Sequence, residues 1–197
     1  SIAHINVYFD ESARSRLLSP LGATNGPENY KRALCDTSFS ALQQATRTDF
    51  RTTMVDGYLV KVDRASMLHS LEVRAPFLDH KLIEFAFGRV PDSLRATDKE
   101  RKILLRRLAG RILPPGLDLK RKQGFSLPLA SWFQGEWGRF TEEVLSEADS
   151  SIFDRAFIDS LLEGQRQGKA NANRLFALTM FELWRREYRV SLPSQSP

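Results

Sequence analysis

DGYLVKVDRASMLHSLEVRAPFLD, from Asp56 to Asp79, holds a long helix signal and the point at which it breaks. Between Asp56 and Ser70 there is no proline. Leu59, Val62, Ser66 and either Met67 or His69 recur along one helical face, whereas Lys61, Asp63 and Arg64 fall on others. This predicts a helix of about four turns. Leu71 to Asp79 ends it, because Pro76 disfavours helical geometry at Ala75 and cannot itself continue the ladder. The segment therefore reads as a structured loop. Asp79 is a suitable N-cap for a second helix, in which Leu82, Ile83 and Ala86 form an apolar stripe that ends near Gly88.

Moving outward, Thr97 and Glu100 have the T-x-x-E spacing of a capping box. They predict a helix over DKERKILLRRLAGRIL with Leu104, Leu105, Leu108 and Ile112 on its core face, stopped by Pro114, Pro115 and Gly116. An exposed basic loop, KRKQGFSLP from Lys120 to Pro128, follows. Further helices are expected at Leu129–Gln134, Glu136–Glu147, Asp154–Gln167 and Ala170–Arg189, and one or two between Glu28 and Phe50. Residues 1–27, with Ser19, Pro20, Gly22, Asn25, Gly26 and Pro27, read as an irregular lead-in, and residues 28–190 as a helical region. No segment has a convincing period of two, and no repeat is evident. The chain as it stands is mainly α.

Composition narrows the function classes. With 197 residues, 42% hydrophobic and 27% charged, the chain has the size and balance of one folded domain or a large piece of one. Cys35 is the single cysteine, so no internal disulfide can form, and His4, His69 and His80 have no metal-ligand spacing. No apolar run approaches the roughly 18 residues of a membrane span, and no signal peptide opens the sequence, so a reducing cytoplasm is the expected location. A net charge of +5 permits an anionic ligand without requiring one.

Two loops carry unusual chemistry. In LEVRAPFLD, Glu72 and Arg74 become same-side neighbours if the chain is extended, with Phe77 and Leu78 as anchors in a core. A carboxylate so held could act as a general base or steer an amine, and the alternative is a structural pair joining two helices. In the basic loop, Lys122 before Gln123-Gly124-Phe125 could meet phosphate oxygens as a flexible point charge, and the alternative is a solvated basic turn. Lys99, Arg101, Lys102, Arg106, Arg107 and Arg111 raise a nucleic-acid reading, but they spread round a helix whose intervening positions are apolar. No G-x-S-x-G elbow supports a serine hydrolase. Cys35 reads as a small buried residue and the tryptophan and phenylalanine groups as core.

LVKVDRASMLHSLEVRAPFLDHKLIEFA, Leu59 to Ala86, resembles the synthetase domain of the glutamine-hydrolysing asparagine synthetase family. ERKILLRRLAGRILPPGL and RKQGFSLPLASWF resemble the same family in the same order, as does DFRTTMVDGYLVKVDR, where Val55 and Gly57 replace a usual proline and a second aspartate. The resemblance implies the C-terminal helical part of an α/β domain of the adenine-nucleotide α-hydrolase (PP-loop ATP pyrophosphatase) type. It implies ATP-dependent amidation of a carboxylate, aspartate to asparagine, through an acyl-AMP intermediate and glutamine-derived ammonia. Other family members amidate other acceptors, such as sugar acids. The implied partners are ATP with Mg2+, the acceptor, an N-terminal glutaminase domain and a possible second copy in a homodimer. By resemblance Glu72 and Lys122 are catalytic, Ser70 and Leu71 contact the nucleotide, Arg74 positions and Asp79 caps. The sequence contains neither the S-G-G-x-D-S pyrophosphate loop nor the N-terminal cysteine nucleophile. A piece so composed is expected neither to hydrolyse glutamine nor to turn over ATP, and its core to leave an apolar face where a sheet would pack.

Overall fold

The computed structural model describes residues 8–22, 26–117 and 127–191. The described residues are helical, with no strand and one isolated antiparallel bridge, Ala96 to Arg101. They fall into two units. The first combines the N-terminal segment with residues 127–191, and the second takes in residues 27–117.

In the first unit α1 (Glu11–Leu17) joins α8 (Leu129–Trp132), α9 (Glu136–Ser146), α10 (Arg155–Arg166) and α11 (Ala172–Glu187). Asp10 caps α1 by accepting from the Ala13 amide at 2.8 Å. Asp154 caps α10 from the Phe157 amide at 2.8 Å, accepts from the Ser19 hydroxyl at 3.1 Å, and donates its own amide to the Leu17 carbonyl at 2.7 Å. Between these helices Leu17, Leu145, Ile158, Leu161, Leu175 and Leu178 make a closed core. Each such side chain, fully buried, contributes about 1.5–3 kcal/mol. The four helices expected after Leu129 are all present, each within a few residues of its predicted limits. The irregular lead-in is corrected, because α1 lies inside it and α2 (Gly26–Ala33) opens before Glu28. Ala13 and Leu17, one turn apart, carry the buried face of α1, and so short a periodicity is easily overlooked.

The second unit begins with α2, followed by α3 (Ala41–Asp49), a π-helical stretch (Phe50–Leu59) and α4 (Val60–Met67). These last three form one unbroken helical run. No proline lies between Ala41 and Met67 to interrupt the ladder. A 3-10 turn (Pro76–Leu78) leads into α5 (His80–Gly88), then α6 (Asp92–Arg95) and α7 (Ile103–Ile112). Asp92 ties α6 to the start of α3 by accepting from the Ser40 hydroxyl and from the Gln43 amide at 3.0 Å. Arg95 fastens the end of α5 through the Ala86 carbonyl at 2.5 Å and the Val90 carbonyl at 2.9 Å.

The capping box does not open a helix. Thr97 does accept from the Glu100 amide at 3.1 Å, but its own amide donates to the Glu100 carbonyl at 2.7 Å and closes a tight turn. α7 starts only after Lys102, whose φ of 56° interrupts helical geometry. Of its predicted core face, Leu105, Leu108 and Ile112 are exposed, as is Phe77, which therefore anchors no core among the described residues. Val62, Met67, Leu82 and Phe85 are also open, leaving the second unit rich in uncovered apolar surface.

Candidate active-site loop

α4 ends in a Schellman motif. The Leu71 amide reaches back to the Ser66 carbonyl at 3.1 Å and the Ser70 amide to the Met67 carbonyl at 3.0 Å. Ser70 occupies the left-handed position, with φ of 54°, where glycine is usual. At the end of α10 the same motif is built with Gly168, and at the end of α11 with Arg189. A side chain in left-handed geometry is strained by about 1–3 kcal/mol, so the turn at Ser70 is held against a local preference.

Beyond this turn Leu71 to Ala75 form no regular secondary structure. Glu72 and Arg74 turn towards each other, with Glu72 Oε1 and Arg74 Nη2 2.5 Å apart. Their side chains are 69% and 84% exposed. The pair thus bridges two residues of one loop and does not join two helices. Among the described residues no backbone bond engages the amides of Glu72 to Ala75. The loop closes at the 3-10 turn, and Asp79 caps α5 from the Lys81 and Leu82 amides at 2.9 and 3.3 Å, as its sequence position predicts.

The structure therefore brings Ser70, Leu71, Glu72 and Arg74 into one exposed edge between two capped helices. The loop offers a carboxylate, a guanidinium and a row of open amide donors, a combination able to contact a polar ligand with both charges present. Lys122, with the rest of the basic loop through Ser126, lies outside the described residues. Among the described residues no group of three or more His, Cys, Asp or Glu side chains is arranged to hold a metal ion. Cys35 is partly buried, its thiol donating to the Lys31 carbonyl at 3.3 Å. The aromatic groups divide: Trp132, Phe181 and Trp184 are exposed, whereas Phe153, against which Phe181 packs edge-on, is buried. No described helix is long and apolar enough to cross a membrane.

A second polar cluster escaped the sequence reading. Arg47 and Arg51, one turn apart, line a pocket with Phe50, Ile83, Glu84 and Phe87. The signal available was an i, i+4 pair of like charges without an acidic partner at helical spacing.

Comparison with known proteins agrees with the motif order. The asparagine synthase family pattern matches residues 11–186. Asparagine synthetase (glutamine-hydrolysing) 1 of Bacillus subtilis is 27% identical over 180 residues, which is 89% of this chain and 28% of that protein. A Mycobacterium tuberculosis protein provisionally named a glutamine-hydrolysing asparagine synthetase is 32% identical over 141 residues, 69% of this chain and 21% of its own length. Asparagine synthetase (glutamine-hydrolysing) 3 of B. subtilis is 31% identical over 117 residues, covering 58% of this chain and 18% of the relative. The chain thus spans about a quarter of the length of the curated relatives it matches. No solved structure matches it. With the pattern running through both helical units, and with the loop of Ser70 to Asp79 inside it, the chain belongs to the asparagine synthase family, whose domain has the adenine-nucleotide α-hydrolase type of fold.

Proposed function

We propose that the chain is the helical part of a synthetase domain that amidates a carboxylate at the expense of ATP, with aspartate as the acceptor and ammonia from glutamine as the nitrogen source. The observation that carries this reading is the family match over residues 11–186, which encloses the open carboxylate loop. In the proposed reaction the acceptor carboxylate attacks the α-phosphorus of ATP and releases pyrophosphate, leaving an acyl-AMP. Ammonia then adds to the acyl carbon, AMP departs and one proton is lost.

Within that scheme the chain's own residues have distinct tasks. Glu72, exposed in its loop, orients the incoming amine or takes its proton. Arg74 holds the Glu72 carboxylate in place within the loop. Ser70 and Leu71 contact the nucleotide through groups other than their amides, which the turn engages, and Lys122 offsets phosphate charge as pyrophosphate leaves. ATP and Mg2+ are the implied substrate and ion. The described residues supply backbone donors suited to the nucleotide, and this reading assigns the magnesium ligands elsewhere in the enzyme. The uncovered apolar surface of α4, α5 and α7 is assigned to packing against the remainder of the synthetase domain.

The test is ammonia-dependent amidation by the complete enzyme carrying Glu72→Gln or Lys122→Ala. Loss of product with the fold retained is expected for each. Unchanged turnover in both variants would remove the assignment. Replacing aspartate by a sugar acid in the same assay separates asparagine formation from the amidation of another acceptor.

A further inference from the structure

Arg47 is held between aromatic rings in the second unit. Its guanidinium carbon lies 3.9 Å from the centre of the Phe39 ring and 5.3 Å from that of Phe87. Phe87 meets the Phe50 ring edge-on at 5.4 Å and has the Arg95 guanidinium at 5.6 Å. The Arg47 Nε is buried with no hydrogen-bond partner. Arg51 follows one turn later and is exposed. Among the described residues no carboxylate comes within ion-pair distance of either arginine, although Glu84 lines the same pocket. The other acidic group in the neighbourhood, Asp36, is already engaged: its carboxyl is held low first by the Ser38 hydroxyl and amide and only last by the charge of Arg47.

Two like charges at i, i+4 repel each other on a helix, and an anion between them turns that repulsion into attraction. The pocket is about 220 Å3, the space of about seven waters, and below the range of drug-sized sites. Phe50, Ile83 and Phe87 give it apolar walls. Two arginines set against Glu84 leave one positive charge in excess, which suits a monoanion better than a phosphate dianion.

We propose that this pocket binds a small organic carboxylate, its head between Arg47 and Arg51 and a flat apolar body against Phe50, Ile83 and Phe87. The walls come from α3 with the π-helical stretch on one side and α5 on the other, the helical elements that precede and follow the Ser70–Asp79 loop. An occupant cross-braces them and so bears on the loop between. The site does not depend on the amidation reading.

The test uses the 197-residue chain with benzoate and inorganic phosphate as probes at matched ionic strength. Saturable NMR shifts confined to Arg47, Phe50, Arg51, Ile83 and Phe87 are expected with benzoate, and weaker binding with phosphate. Arg51→Gln, an exposed substitution, weakens benzoate about tenfold by removing one charge-assisted contact, with the melting temperature unchanged. Glu84→Gln strengthens phosphate binding. The proposal is overturned if benzoate gives no saturable shift, if phosphate binds as tightly, if Arg51→Gln leaves the affinity unaltered, or if the shifts scatter over surface arginines.

Discussion

Glu72 and Arg74 pair at 2.5 Å across a single intervening residue while both side chains remain largely in solvent. A contact of this kind gains little, because water screens it and ordering two long side chains opposes it. Arg74→Ala and Glu72→Gln are therefore expected to change the unfolding free energy of this chain by less than about 0.5 kcal/mol. Urea denaturation measures this directly, and a loss of several times that amount would revive a structural role for the pair. A residue that contributes so little to stability is free to be selected for chemistry, which is the setting in which the Glu72 assignment has its force.

Ser70 gives a sharper case. Its left-handed conformation strains any side chain but not glycine, and the two Schellman bonds around it do not involve that side chain. Ser70→Gly is expected to raise stability by about 0.5–1 kcal/mol, the relieved strain exceeding the added freedom of the unfolded glycine. Thermal unfolding of the purified variant provides the check. A lower melting temperature would mean that the serine side chain contributes more than its strain removes.

Capping is local chemistry, and Asp79 acts where its position predicts, whereas α1 is not legible although Asp10 caps it, because its buried face is only Ala13 and Leu17. The sequence misplaced the start of α7, since the same Thr97 hydroxyl that opens a helix can also stabilise a turn, and only the left-handed Lys102 decides between them. It identified an apolar face at Leu105, Leu108 and Ile112 but not what covers it, because periodicity records which side chains avoid water and not which element arrives to shield them. The arginine pair lining the Phe87 pocket was hidden for a related reason. Phe87 is distant in sequence from Arg47 and Phe50 and meets them only through the fold.

Acid sensitivity in the second unit should involve Asp36 and Asp92, of which Asp92 ties one helix to another. Hydrogen bonds from Ser40 and then Gln43, opposed by some desolvation and helped by the charge of Arg95, hold its carboxyl below the ordinary value of 3.8. A folded-state pKa below the unfolded one means that the native protein binds fewer protons. The stabilisation is fully present above the unfolded value and is lost as pH falls through the folded one. Asp92→Asn is expected to be less stable than the parent at neutral pH and to converge with it in strong acid. Urea midpoints followed down to about pH 2 test this, and a constant gap at every pH would contradict it.

In the first unit Gly138 marks a close approach. A Cβ added there would lie 2.2 Å from the Phe133 carbonyl oxygen, a backbone atom that cannot swing aside. Gly138→Ala must therefore push α9 away from the end of α8, at a cost of about 1–3 kcal/mol despite the better helix propensity of alanine. A stability gain in chemical denaturation would show that the two short elements separate freely.

The largest single loss is expected at Glu182. Its side chain is wholly out of solvent, yet burial, which pushes its carboxyl up, is outweighed by hydrogen bonds and charge from Arg185 and Arg186, leaving its pKa lowered. Arg185 donates through Nε at 2.8 Å and Nη2 at 2.9 Å, and Arg186 through Nε at 2.9 Å. The two guanidiniums carry the contact outward, Arg185 towards Asp149 at 3.6 Å and Arg186 to Glu147 at 3.0 Å and the Val144 carbonyl at 2.7 Å. α11 is thereby bolted to the end of α9 and the loop after it. Removing the carboxylate leaves two partly buried cations facing one another, so Glu182→Ala is expected to cost about 3 kcal/mol, the low end for a broken buried pair because both arginines retain some solvent. Glu182→Gln keeps the shape and one acceptor and should cost less. If Glu182→Gln proves as stable as the parent in matched urea titrations, the charge is irrelevant and packing alone holds α11 to α9.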